Sequence, residues 1–210
     1  RPENSAAEVQ EAEEGTATGQ MVRTPAFWLV FATAMINCFF GFGVLGHARA
    51  MAIEGGFAAQ TATLIVGLVS VMNGLGRLFF GMLHDKKGYK VSFPVSSCAF
   101  ILAAILAVTG FSAKLPVMVA AALMLGGFGN SAGPTIISSL AAEFFGRAYY
   151  GRNMSVLNMN MVPGSLGSSV AGAIQTASGS YRGCFVIFGL LELPALLFIF
   201  ILSRLERKAR

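Results

Sequence analysis

The run Val71-Met72-Asn73-Gly74-Leu75-Gly76-Arg77-Leu78-Phe79-Phe80-Gly81-Met82-Leu83-His84-Asp85-Lys86-Lys87-Gly88-Tyr89-Lys90 sets one arginine inside an apolar helix and follows it with a short charged loop. Of all the basic residues of the chain, Arg77 alone lies where it cannot easily reach water. An ionised guanidinium in hydrocarbon is costly unless something anionic or strongly polar compensates it, so the first reading of such a residue is functional. Arg77 is expected to hold an anion.

The composition around this run agrees with a lipid setting. Hydrophobic residues make up 55% of the 210 and charged residues only 12%, too little polar surface to clothe a soluble domain of this length. An integral membrane protein is the class implied. The net charge of +5 does not point to nucleic acid, because no basic cluster is interleaved with aromatics and the Lys and Arg residues fall at helix ends. Cys38, Cys98 and Cys184 are far apart within apolar stretches and lack metal-ligand spacing; they read as packing residues, and no metal or cofactor is implied. No signal peptide is visible and the sequence begins at Arg1 rather than Met, so a piece of something longer is expected.

Residues 1–22 are acidic and small, with Glu3, Glu8, Glu11, Glu13 and Glu14 among Ala, Thr and Gly, and read as a disordered linker. After Thr24-Pro25, where proline suits the first turn of a helix, six apolar segments follow at about 26–46, 60–83, 91–111, 116–143, 153–175 and 183–203. The expected fold is an all-α six-helix transmembrane bundle over 23–205, closed by a basic tail at 206–210. With the N-terminal segment inside, that side collects Arg1, Arg23, Lys86, Lys87, Lys90, Arg147, Arg152, Arg204, Arg207, Lys208 and Arg210, against Arg49, Lys114 and Arg182 outside. The bias predicts both ends in the cytoplasm, in the plasma (inner) membrane of a cell. Gly133-Pro134 and Pro163-Gly164 predict interrupted helices, since an interior proline frees carbonyls that protein, water or ligand must satisfy. A binding site and a plain structural kink are both open readings of these pairs.

The segment Gly81-Met82-Leu83-His84-Asp85-Lys86-Lys87-Gly88-Tyr89-Lys90 resembles the loop signature of the major facilitator superfamily, in which a glycine, an acid, two basic or polar positions, a glycine and a final base recur between helices 2 and 3 and between helices 8 and 9. Gly81 and Gly88 allow a tight turn, and Asp85 can accept hydrogen bonds from helix ends or pair with a base across the gap between halves. The resemblance implies that the six spans are helices 7 to 12, the C-terminal half of a twelve-helix fold whose N-terminal half is its partner. Asp85, Lys86, Lys87 and Lys90 would then belong to the gating loop, which the two glycines shape.

Three further stretches are similar to the oxalate:formate antiporter family: Arg23-Thr24-Pro25-Ala26-Phe27-Trp28, Asn73-Gly74-Leu75-Gly76-Arg77, and Phe145-Gly146-Arg147-Ala148-Tyr149-Tyr150-Gly151-Arg152-Asn153. The likeness covers nearly everything after residue 20. Monocarboxylate transporters share the Asn/Asp-x-x-x-Arg arrangement, and in both groups the arginine meets the substrate carboxylate, a role that carries to Arg77. The pattern departs where the oxalate carrier has a second cationic contact: Met161 stands there, flanked by Asn160. Aromatic pocket positions fall on Asn130, Pro134 and Asn158. One arginine with Asn73, Asn130, Asn158 and Asn160 fits a monocarboxylate, or a carboxylate bearing hydroxyl or amide groups, better than a dianion held between two cations. The same asparagines could instead bond neighbouring helices.

A secondary carrier of small organic anions is therefore expected, working by alternating access. Asn73 does not titrate, unlike the aspartate usual in proton-linked monocarboxylate carriers, which favours anion exchange over proton symport. A six-span solute channel is the other alternative, but only the second and fifth spans carry a polar stripe. Nothing resembles an enzyme's nucleophile and base, and Gly126-Gly127-Phe128-Gly129 lies in an apolar span rather than a phosphate loop. Glu192, two residues before Pro194, reads either as a proton relay or as a protonated structural group.

Overall fold

Thr24-Pro25 starts the first long helix as its composition requires. The Thr24 hydroxyl accepts a hydrogen bond from the Phe27 amide at 3.2 Å, and Pro25 occupies the first turn, where its missing N–H is not needed. In the computed structural model, which describes residues 15–209, nine helices follow one another: α1 (Thr18–Met21), α2 (Pro25–Glu54), α3 (Ala59–Lys87), α4 (Tyr89–Ala113), α5 (Pro116–Asn130), α6 (Ala132–Phe145), α7 (Tyr150–Asn158), α8 (Met161–Ser178) and α9 (Arg182–Ala209). At 30 residues α2 is about 45 Å long, more than the roughly 30 Å of hydrocarbon, so it runs on beyond the apolar slab. Among the described residues, five stretches are long and apolar enough to cross a membrane: Pro25–Glu54, Ala59–Lys87, Tyr89–Ala113, Pro116–Phe145 and Arg182–Arg207.

The expected span at 153–175 is not one of these, because it is divided into α7 and α8 around Met159-Asn160 and α8 is rich in Gly and Ser. The span at 116–143 is likewise divided, at Ser131. Both breaks fall three to four residues before a proline, Pro134 in α6 and Pro163 in α8. That is where proline acts, since its missing N–H deprives the carbonyl four residues earlier. Pro94 and Pro194, by contrast, lie within uninterrupted helices.

Two apolar cores are stacked along the helices. One is built from Phe40, Val44, Val69, Phe100, Leu123, Phe185 and Phe188, the other from Phe27, Phe80, Phe93, Ile136, Phe145 and Leu202. Between them, at the same depth on different helices, lie the buried polar residues Asn37, Ser96, Ser97, Ser131, Asn160 and Glu192. On α3 the matching interval runs from Val69 to Phe80 and contains Asn73 and Arg77. The bundle therefore has a polar layer midway along its length.

The part of the expected linker that is described, residues 15–22, is ordered, which corrects that reading; residues 1–14 lie outside the described residues. Thr16 N–H donates to the Phe145 carbonyl at 2.8 Å, Thr18 Oγ1 donates to Asn153 Oδ1 at 2.8 Å, and Asn153 Nδ2 donates to the Thr16 carbonyl at 2.9 Å. Met21 anchors the segment by burying its whole side chain in the second core. Polar composition misled because one buried amide, Asn153, satisfies the segment's backbone and hydroxyl groups from outside it. Asn153→Ala is expected to cost about 1–3 kcal/mol, since it leaves buried partners unpaired. A cysteine placed at Thr18 would then react faster with a maleimide. Across the expected tail at 206–210, α9 stays helical to Ala209, and Glu206 pairs with Lys90 at 2.7 Å.

Gly88 ends α3 at φ 70°, ψ 180°, and Gly146 ends α6 at φ 73°, ψ −179°. That region of backbone space is open essentially to glycine alone. Gly88→Ala and Gly146→Ala should each lower stability by about 1–3 kcal/mol, measurable as a fall in melting temperature.

Candidate functional site

Helix α3 carries its polar residues on one stripe, because Ser70, Asn73, Arg77 and Gly81 recur at helical spacing. The stripe borders the packed face formed by Ile65, Val69, Gly76 and Phe80. Beyond it lies an exposed apolar face of Leu64, Leu68, Val71, Leu75, Leu78 and Met82. Arg77 is exposed in this bundle, because no described helix covers its side of α3. Among the described residues it makes no ion pair and no side-chain hydrogen bond.

What lies next to Arg77 is the break between α5 and α6. Asn73 Nδ2 donates to the Gly127 carbonyl at 3.1 Å. Gly76 lets α3 approach so closely that a Cβ there would collide with Ser131 and the Phe128 carbonyl. Phe128 stacks between Phe79 and Phe80, each 5.2 Å away. At the break, Ser131 Oγ donates to the Phe128 carbonyl at 2.7 Å, and Thr135 Oγ1 donates to the Ser131 carbonyl at 2.9 Å. Asn130, half-buried, packs against Gly41 of α2, where no side chain would fit. Asn73 and Gly76 thus tie α3, next to Arg77 in sequence, to an irregular piece of backbone, and Asn130 is the last residue before that break.

Asn160 is placed differently. Its side chain is 0% exposed, its amide donates to the Leu157 carbonyl, and its oxygen accepts from Cys38 Sγ at 3.4 Å. Of the two roles open to it in the sequence, this is the geometry of a group that holds a helix break against α2. Asn158, the last residue of α7, is half-buried. The stripe of Asn153, Asn160, Gly164 and Gly167 faces the bundle, all four being buried.

Asp85, Lys86 and Lys87 are exposed in the last turn of α3; Gly81 is half-buried inside that helix rather than in a turn, which corrects its expected part in the loop, and half-buried Gly88 alone makes the turn to α4. Lys90 is tied back to Glu206, which also accepts from the Tyr89 hydroxyl at 2.7 Å. His84 is buried, with Nδ1 3.4 Å from Ser92 Oγ and Nε2 3.8 Å from Glu143.

Partners that sequence reasoning did not find appear at the other end. His47 Nε2 donates to the Ser168 carbonyl at 2.9 Å, which leaves Nδ1 to accept from the Tyr181 hydroxyl at 3.0 Å. Burial, with Glu54 adding to it, holds the Tyr181 phenol above its ordinary pKa and so keeps it a donor. Glu54 in turn accepts from Ser180 Oγ at 2.6 Å and the Tyr181 amide at 3.0 Å. Asn37 and the Ser96-Ser97 pair were also overlooked. The available signal was a set of lone polar residues at equal depth in different apolar spans.

Comparison with known proteins agrees with this architecture. The chain is 27% identical to the oxalate:formate antiporter of Oxalobacter formigenes over 199 residues, 92% of this chain and 46% of that protein. It is 26% identical to multidrug resistance protein D of Escherichia coli (strain K12) over 122 residues, 58% of this chain and 30% of the relative. An uncharacterized MFS-type transporter of the same organism, YhjX, is 28% identical over 163 residues, 73% of this chain and 38% of its own length. The chain thus spans less than half the length of the curated relatives it matches. The family model of the Major Facilitator Superfamily matches residues 30–210, and with its all-helical, multi-pass membrane bundle this chain belongs to that superfamily of transporters.

Proposed function

We propose that these residues form the C-terminal six-helix half of a twelve-helix transporter that exchanges small organic anions, mono- or dicarboxylates, by alternating access. Both ends lie in the cytoplasm, and the protein resides in the plasma (inner) membrane. The observation that carries the reading is Arg77: a guanidinium at mid-depth on an uncovered side of α3, beside a broken helix, with no carboxylate partner among the described residues. A cation so placed is stabilised by an anionic ligand at the bilayer midplane. The similarity to an oxalate:formate antiporter supports the substrate class.

In this reading Arg77 pairs with the substrate carboxylate through its planar fork of donors. Asn73 holds α3 against the Gly127 carbonyl and so fixes the height of Arg77. Asn130 and Asn158 offer amides to the remainder of the substrate, and Asn160 keeps the α7–α8 break in register. The exposed apolar face of α3 packs against the N-terminal half. Asp85, Lys86 and Lys87 act at the joint between halves, where Gly88 makes the turn. An empty carrier leaves Arg77 uncompensated, which disfavours its crossing, whereas a bound anion neutralises the site.

The test is uptake of labelled formate, lactate, pyruvate and oxalate by the full-length transporter in liposomes, with and without an internal anion. Uptake that requires the internal anion supports exchange. Uptake of every carboxylate at background, by folded protein, defeats the reading.

A further inference from the structure

One ionisable side chain takes no part in the arrangement around Arg77. Glu192 of α9 is 0% exposed and lies in the mid-depth polar layer, on helices packed against one another rather than on the open side of α3. Its Oε2 accepts from Asn37 Nδ2 of α2 at 3.2 Å, and its Oε1 is buried with no hydrogen-bond partner. Asn37 Oδ1 accepts from Ser96 Oγ of α4 at 2.9 Å, and that hydroxyl is also 3.3 Å from the Gly129 carbonyl of α5. A single polar chain therefore runs from α9 through α2 and α4 to the residue before Asn130.

Among the described residues, no cation balances the carboxyl. Of the helices packed on α9, α8 contains no charged or titratable residue. On α2 the nearest is Cys38, turned to Asn160, and His47, Arg49 and Glu54 lie at the far end of the helix. On α4, Lys90 is held by Glu206 and Cys98 is exposed. The other charged residues of α9 itself, Arg182, Arg204, Glu206, Arg207 and Lys208, are at its ends. An anion at this depth, met only by the neutral Asn37 amide and the Ser97 hydroxyl, is disfavoured, whereas the uncharged acid is not.

We propose that Glu192 is a proton-binding site, occupied while α2, α4 and α9 are packed as here, and that through Asn37 and Ser96 its proton is linked to the α5–α6 break. A conformation that lets water reach Oε1 favours release of the proton. By reciprocity, proton occupancy favours the packed conformation. Glu192 is then a positioning residue: it touches no substrate and acts on the Arg77 site through the helix break. The linkage rests on the transporter reading above, but the proton site does not.

The test uses the full-length transporter in bilayer vesicles, with protons as the probe. Infrared spectra of the wild type at neutral pH should contain the carbonyl stretch of an un-ionised carboxylic acid, lost at alkaline pH and missing from E192Q. Thermal stability of the wild type should fall from neutral to alkaline pH while that of E192Q stays flat. Should E192Q fail to assemble, E192M, neutral and of similar length, replaces it in both measurements. A spectrum unchanged by either substitution means that Glu192 is ionised and overturns the proposal. Where uptake is measurable, it should decline with rising pH in the wild type and not in E192Q; identical pH profiles overturn the linkage. Absence of any carboxylate uptake would sink the proposed function while leaving the infrared and thermal results to decide the proton site.

Discussion

Arg77→Gln is expected to abolish anion exchange by the full-length transporter while leaving its fold intact. Glutamine keeps hydrogen-bond donors at the end of a long side chain but removes the charge, so the substrate carboxylate would enter the midplane with no counter-ion. Removing one partner of a desolvated ion pair costs about 2–5 kcal/mol, which corresponds to a loss of roughly two to three orders of magnitude in uptake at a mid-range value. Stability should change little, because Arg77 is exposed in this half and makes no ion pair among the described residues. Arg77→Lys should fall between the two, since an ammonium restores the point charge without the two-pronged geometry. Uptake of labelled carboxylate and a thermal melt on the same preparations separate the outcomes. Normal transport by Arg77→Gln would place the binding site elsewhere and make the arginine structural.

The arginine could be picked out of the sequence because its cost is local: the apolar helix around it defines its environment without help from the rest of the chain. Gly88 was legible for the same reason, as its turn demands a backbone conformation that other residues resist. What could not be read were relations between helices. Periodicity put Asn153, Asn160, Gly164 and Gly167 on one stripe, and they do share a face, but whether that face meets a cavity or another helix depends on α2. The breaks were displaced from Gly133-Pro134 and Pro163-Gly164 to Ser131 and Met159-Asn160, because a proline's effect falls on the carbonyl a turn before it. The order of residues 15–22 was hidden altogether, since Asn153, more than a hundred residues away, supplies it.

The polar layer joins these observations. A continuous apolar core would hold the helices equally well at many rotations and heights, because lipid tails compete with side chains on nearly equal terms. Asn37, Ser96, Asn160 and Glu192, each with a directional partner on another helix or at a break, select one register. The carbonyls exposed by the α5–α6 break fall in the same layer, next to Asn73 and Arg77. Irregular backbone at this depth is tolerable where it is buried in protein or lines a cavity, and Ser131 at this break is buried against α3.

Gly167→Val should be the most damaging single substitution outside that layer. The contact between α2 and α8 brings main chain against main chain: a Cβ at Gly167 would overlap the carbonyl and Cα of Phe39. A side-chain neighbour could rotate aside, but backbone inside a 30-residue helix cannot, so α8 would have to move away from α2. That movement would also loosen Gly43 and Gly46, which approach Phe188 and Ser168 closely on the same side. Overpacking ordinarily costs 1–3 kcal/mol, and with no relaxation route the expected loss is about 3 kcal/mol or more. Gly151→Ala supplies the contrast, because a Cβ there meets nothing within 4 Å and the helix gains roughly 0.5–1 kcal/mol of propensity. Melting curves of the two variants should therefore shift in opposite directions. Equal, small shifts would mean that α2 and α8 do not touch as tightly as this packing requires, and that glycine in α8 serves flexibility rather than close approach.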